Sequence, residues 1–190
     1  SSTTDIRALV TSTIIGDSFK EVPFFTYESE NGYKADTILA AKYATAATVN
    51  RYTYIGNLEI GGRRYPDRMI RTDRDKFDIF PSDGTHDIDV SASDGESIIK
   101  LESFGDKLIQ FKEKTAYLIS VSAEGEDLSD TWHNAGILSA CQVVKIKDGI
   151  VWVNDNGLFF YDGEKLQHVS DDRFTTDSWS INENKDVPVL

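Results

Sequence analysis

The sequence predicts an all-β protein, antiparallel and built of propeller-like blades with little helix, and three observations carry that prediction. Apolar residues alternate with polar ones at a period of two through most of the chain, as expected of strands with one buried face. Gly-containing turn dipeptides interrupt these runs: Asn31-Gly32, Gly61-Gly62, Asp83-Gly84, Asp94-Gly95, Asp148-Gly149, Asn156-Gly157 and Asp162-Gly163. Tight hairpin turns need positive φ, which Gly adopts freely and Asn or Asp tolerates. Finally, "GDKLIQFKEKTAYLIS" and "DGIVWVNDNGLFFYDG" share one plan, a turn, an apolar strand, a polar turn and an aromatic-bearing strand.

The strand candidates, in order, are Val22 to Tyr27, Thr48 to Ile55, Asp87 to Val90, Ile98 to Glu102, Lys107 to Phe111 and Thr115 to Val121. They continue with Gln142 to Lys147, Ile150 to Asn154, Leu158 to Tyr161 and Leu166 to Val169. In "DTILAAKYATAA", Asp36 can cap a short helix with Leu39, Tyr43 and Ala46 on one face. The preferred alternative gives the second half of that segment to the strand running into "TVNRYTYIGN". Residues 1–47 are then an N-terminal segment of strands or a short helix forming part of a blade, 48–170 the propeller-like domain, and 171–190 a C-terminal strand or strap.

Matching Leu108 to Val151 sets the two similar stretches 43 residues apart (151 − 108 = 43), with a weaker copy at "NRYTYIGNLEIGG". A period of about 40 to 50 residues is that of a propeller blade, whose faces are buried only when neighbouring blades stack on them. About four such units fit the chain, the lower limit for a closed ring. The propeller is therefore incomplete or is finished by another segment.

At 190 residues the chain suits one domain, and 10 Phe, 8 Tyr and 3 Trp supply a sizeable core. The net charge of −12 argues against non-specific binding to DNA or to an anionic membrane, because both depend on Lys and Arg. The visible basic cluster, Arg63, Arg64, Arg68, Arg71 and Arg74, is diluted by Asp67, Asp73 and Asp75 and reads as a solvated mixed-charge loop. No apolar run is long enough for a membrane-spanning helix, and no basic-then-apolar leader opens the chain. Its start at "SSTTDIR", without Met, and its stop at "DVPVL" read as a piece of a longer polypeptide.

Nothing in the sequence assembles a reaction centre, so the expectation is no catalytic residue, no cofactor and no metal. His86, His133 and His168 are scattered without metal-ligand spacing. The single cysteine, Cys141, has no partner for a disulfide and lies in "LSACQVVKI", which reads as a buried inert thiol. Asp73, Asp75, Asp78, Asp83, Asp87, Asp89 and Asp94 do not follow a calcium-loop pattern and read as solvated loop carboxylates and turn-formers. A glycosidase pair among them has no sequence support. Trp132, in "DLSDTWHNAGI", and Trp179, in "TTDSWSIN", stand among polar residues and are interface candidates beside the five arginines, with the loops from Gly61 to Arg74 and from Ala123 to Gly136 as contact segments.

The order of "NRYTYIGN" (50–57), "PDRMIRTDRDKFDIFP" (66–81), "GDKLIQFKEKTAYLI" (105–119) and "AGILSACQVVKIKDGIVWVNDNGLFFYDGEKL" (135–166) resembles the β-propeller part of tail nozzle, or tail tubular B-like, proteins of short-tailed bacteriophages. The matching residues are Gly56 and Asn57, Pro66 to Arg68, Phe111 to Ile119, and Gly149 to Gly163, within roughly Thr48 to Ser170. The resemblance implies a structural virion protein, assembled in the host cytoplasm into a homo-oligomeric, six-fold ring. It implies portal-proximal adaptor and distal tail proteins as neighbours, and a channel through which genomic DNA passes without specific binding or membrane contact. An acidic wall suits such a channel, since like charge keeps DNA from adhering. The competing expectation is a carbohydrate- or receptor-binding propeller that uses Trp132 or Trp179.

Overall fold

The computed structural model describes residues 20–26, 37–76, 80, 86–90 and 95–170, with side chains from Lys42 onward. The described part is nearly all β. Its first sheet holds β1 (Lys20–Thr26), β2 (Thr37–Val49), β3 (Tyr52–Ile60), β4 (Arg63–Arg71) and β5 (Asp87–Ile88) in sequential order. A second sheet holds β6 (Lys100–Phe104), β7 (Lys107–Phe111), β8 (Thr115–Val121) and β9 (Glu126–His133). The third holds β10 (Val143–Ile146), β11 (Gly149–Asn154), β12 (Gly157–Tyr161) and β13 (Leu166–His168), after a 3-10 turn at Ala140–Gln142. Every pairing is antiparallel between consecutive strands, so each sheet is a simple meander of the kind that forms a propeller blade.

The sheets are joined through their faces. Leu101, Leu108, Ile119 and Val121 of the second sheet pack with Val49, Tyr52, Tyr54 and Met69 of the first. On the opposite face, Ile109, Phe111, Ala116, Leu118 and Trp132 pack with Val143, Ile150, Trp152, Phe159 and Tyr161 of the third. The second sheet is thus buried on both sides, which explains why β7 and β8 read as nearly continuous apolar runs rather than as strict alternation. Tyr43, Ile55, Leu58 and Ile70 on the far side of the first sheet form a third cluster with Phe80.

Several sequence expectations need correction. Residues 37–49 form a single strand, not a helix: the backbone of β2 pairs with β1 over residues 37–43 and with β3 over residues 41–49, and that ladder overrides alanine's helix propensity. The expected strand Thr48 to Ile55 is broken by a two-residue hairpin turn at Asn50 and Arg51, whose φ values are 48° and 71°. Asn takes up this left-handed geometry readily and stands here without the Gly that usually signals it.

Two segments expected to be loops are edge-side strands. Gly61 to Arg74 contains β4, whose Met69 and Ile70 are buried while Arg63 and Arg64 are exposed. Ala123 to Gly136 contains β9, which buries Trp132 and otherwise exposes mostly acidic and polar side chains. Charged, weakly alternating sequence is what protects strands near a sheet edge from mispairing, and it hides them from a search for apolar periodicity.

The repeat is also one residue shorter than the sequence match. Lys107 follows the first hairpin turn of the second sheet as Gly149 does in the third, and Thr115 and Gly157 begin the next strands, so the structural spacing is 42 (149 − 107 = 42). The difference matters because a slip of one residue reverses every side chain's face. At 43, Leu108, which faces the first sheet, would match Val151, which faces away from the second; at 42 it matches Ile150, and both face the preceding sheet.

Candidate functional site

The interface candidates fall into two groups once the strands are in place. Arg63, Arg64, Arg68 and Arg71 all lie on β4, and Arg74 follows it in an exposed turn. Arg68 is committed within the sheet: its Nε and Nη2 donate to the two oxygens of Asp89 at 3.1 and 3.0 Å, and its Nη1 donates to Asp87 at 2.8 Å. The bonds to Asp89 push the Arg68 pKa further up and keep the guanidinium charged. Its carbon centre also lies 4.9 Å from the Tyr65 ring, and Arg63 approaches the same ring at 5.2 Å. Arg63 is exposed, and Arg64 stands opposite Glu59, which itself pairs with Lys42 at 3.3 Å, giving a ladder of alternating charge across three strands.

Arg71 belongs to the seam between the first two sheets. Its Nε forms an ion pair with Glu126 Oε1 at 3.1 Å, and its guanidinium lies 5.0 Å from the Tyr52 ring. The buried Tyr54 hydroxyl donates to the same carboxylate oxygen at 2.7 Å. Burial first, and then this bond to a carboxylate, raise the Tyr54 pKa far above its ordinary value. Farther along the seam the Asn57 amide donates to Ile98 O at 2.9 Å. Asn57 can reach because it occupies a bulge in β3 with φ 57°. The Leu101 N–H donates to Thr45 Oγ1 at 2.8 Å, and the Asn50 amide donates to Val121 O. These polar ties position one sheet on the next rather than a substrate.

Trp132 is not an exposed aromatic. It is 8% exposed, stacks on Trp152 with ring centroids 6.0 Å apart, and donates from Nε1 to Asp130 Oδ2 at 2.7 Å. Its immediate neighbours Thr131 and His133 alternate to the opposite side of β9, and the polar Asp130 on its own side accepts the indole N–H. Trp152 is fully buried between Phe111 and Phe159, with its Nε1 donating to Ala135 O at 2.9 Å. Trp179 lies outside the described residues.

Cys141, expected to be buried, is exposed. The neighbouring Gln142 turns inward instead, because its amide serves three backbone groups: Oε1 accepts from Leu138 and Ser139 N–H at 2.6 and 2.7 Å, and Nε2 donates to Val153 O at 2.8 Å. Asn154 completes the clamp by donating to Asn134 O and Gly136 O at 3.0 and 2.7 Å. Together they lock the link between β9 and β10 onto the third sheet. Neither residue stood out in the sequence, since Asn and Gln next to turns are ordinary.

Asp73, Asp75, Asp87 and Asp89, the described members of the acidic clusters, all have structural partners. Asp73 meets His86 Nε2 at 2.9 Å and Lys76 at 3.4 Å, Asp75 pairs with Arg51, and Asp87 and Asp89 hold Arg68. Asp78, Asp83 and Asp94 lie outside the described residues. His133 is exposed on β9, and His168 stacks on Phe159 with centroids 4.5 Å apart. Among the described residues, no three His, Cys, Asp or Glu side chains converge as metal ligands. No helix among them is long and apolar enough to cross a membrane. No family model matches the chain, and no curated protein does so significantly.

Proposed function

We propose that this chain is a structural component of a tailed-phage virion, a nozzle or tube protein whose copies form a ring that extends the DNA channel. The observation that carries this reading is the serial stacking of antiparallel meanders, with the middle sheet buried on both faces. Such a stack is stiff, and polar groups at its seams serve to register one sheet on another, as the buried Tyr54 and the half-buried Glu126 and Arg71 do. A rigid scaffold suits a part that bears load and contacts neighbours, while a net charge of −12 disfavours adhesion of passing DNA. Adaptor proteins toward the portal and distal tail proteins are the proposed neighbours. Assembly takes place in the host cytoplasm, and function resides in the virion.

The carbohydrate-binding alternative draws less support, because the ring face of Trp132 that would stack on a sugar is occupied by Trp152. The mass of the native assembly tests the proposal. A closed ring of identical copies with no turnover of small substrates is expected; a protein that stays monomeric at high concentration, or one that transforms a ligand chemically, overturns it.

A further inference from the structure

The 42-residue spacing gives each face of the third sheet an equivalent in the second. Ile109, Phe111, Ala116 and Leu118 are the residues of β7 and β8 covered by the third sheet. Their counterparts one repeat later are Val151, Val153, Leu158 and Phe160. Each of these faces away from the cluster formed by Ile150, Trp152, Phe159 and Tyr161, because successive side chains alternate across a strand. Val151 lies opposite both Val144 and Phe160, so an apolar row crosses three strands. Val144, Val151, Leu158 and Phe160 retain partial exposure, and Ile146 beside them is 44% exposed. The third sheet therefore carries the binary pattern of a stacking face on both sides, and one side has no described sheet against it.

We propose that this outer face, built on Val144, Ile146, Val151, Leu158 and Phe160, is where a second copy of the chain stacks. Two observations favour that occupant. The face continues a series of sheet-on-sheet contacts already made twice within the chain, so the partner it fits is another apolar sheet face. Charge also permits self-association here and opposes it elsewhere. Between Val143 and His168, Lys145, Lys147 and Lys165 nearly balance Asp148, Asp155, Asp162 and Glu164. The exposed Leu128 on β9, by contrast, stands among Glu124, Glu126, Asp127 and Asp130 with no basic residue between Ser122 and Trp132, so a second acidic copy is repelled there. The inference rests on the proposed assembly of copies and assigns one of its contact surfaces.

The test compares the full chain with Val151→Lys, Phe160→Glu and the milder Val151→Thr by native mass spectrometry and sedimentation, with thermal unfolding in parallel. The unaltered chain is expected to associate. The two charged variants should associate about a hundredfold or more weakly, since each would bury an unpaired charge, while their unfolding midpoints stay close to that of the parent. Val151→Thr should weaken association by a smaller factor.

A parent chain that remains monomeric overturns the proposal, as do charged variants that associate normally. If the charged variants unfold as readily as the core variant Ile150→Lys, the face is covered from within the chain. Gain of association on removal of residues 171–190 would identify that segment as the cover, and either outcome refutes a second copy. A ring that survives the face substitutions sinks this surface but not the ring; a simple dimer dissolved by them sinks the ring but not this surface.

Discussion

The Tyr54 hydroxyl on β3 donates to the Glu126 carboxylate at the start of β9, 2.7 Å away and on the next sheet. Arg71 approaches the same oxygen from β4 at 3.1 Å, so three strands from two sheets meet at one carboxylate. Removing the hydroxyl by Tyr54→Phe should lower stability by about 1.5–3 kcal/mol, the range for a hydrogen bond to a charged group. Glu126→Ala should cost more, because it strands the tyrosine hydroxyl and the guanidinium together. Urea titrations of both single variants and the double variant should reveal a favourable coupling energy, and strict additivity would show that the contact holds nothing together.

Alkaline pH attacks the packing of three buried tyrosines, Tyr54 of that seam among them. Burial raises the pKa of Tyr43, Tyr54 and Tyr161 above the ordinary value of 10.0, with the Glu126 contact adding at Tyr54 and the charges of Asp106, Asp162 and Glu164 adding at Tyr161. The folded state therefore holds these protons more tightly than the unfolded chain. Stability linked to them is complete below pH 10.0 and falls as pH rises through the folded-state values. Urea midpoints should drop above that pH, with tyrosinate absorbance appearing as the protein unfolds, and Tyr54→Phe should flatten the decline.

Gln110 points to a gain in stability. Both atoms of its carboxamide are buried without a hydrogen-bond partner among the described residues, and the residue is 0% exposed, on the face of β7 that meets the first sheet. An unpaired buried polar group costs about 1–3 kcal/mol. Its counterpart one repeat later is Trp152, so the position accepts an apolar side chain in the equivalent strand. Gln110→Leu should raise the urea midpoint with an unchanged slope, and a lowered midpoint would show that the amide is needed where it stands.

Two glycines are required for lack of space rather than for backbone freedom. A Cβ on Gly149 would lie 2.1 Å from Tyr161 O and 2.6 Å from the Phe160 ring, and one on Gly136 would lie 2.5 Å from Lys112 O. Carbonyls held in or beside a ladder cannot retreat without breaking pairing, so Gly149→Ala and Gly136→Ala should each cost about 3 kcal/mol, at the upper end for overpacking. Thermal unfolding of the two variants would measure it.

Arg51 offers the reverse substitution. It is exposed and holds φ 71° in the turn between β2 and β3, a left-handed geometry that costs a side-chain-bearing residue about 1–2 kcal/mol. Arg51→Gly gives the preferred Asn-Gly turn and should stabilise the protein by up to about 1 kcal/mol after loss of the exposed ion pair to Asp75. A destabilised variant would mean that the pair with Asp75 outweighs the backbone relief.

Local chemistry was enough to locate most strands. Lys107 to Phe111 and Thr115 to Val121 are strands with the bounds their pattern predicts, and Gly61-Gly62 marks a real hairpin. It failed where the deciding partner is distant. Charged β4 and β9 become strands through ladders to β3 and β8, and Trp132 is drawn inward although its neighbours in sequence are polar. Gln142 displaces Cys141 from the interior because its amide completes backbone bonds that only the folded link presents.

By itself, then, the sequence determined an antiparallel, hairpin-rich chain, because alternation and turn residues act over a few positions. Tertiary structure alone decided which face of each strand meets which sheet, and so set the repeat at 42 rather than 43 residues. The physical reason is that a strand has two faces and a sequence pattern can mark both as apolar. Only the stacking of one sheet on the next distinguishes a face already covered from one still open to a partner.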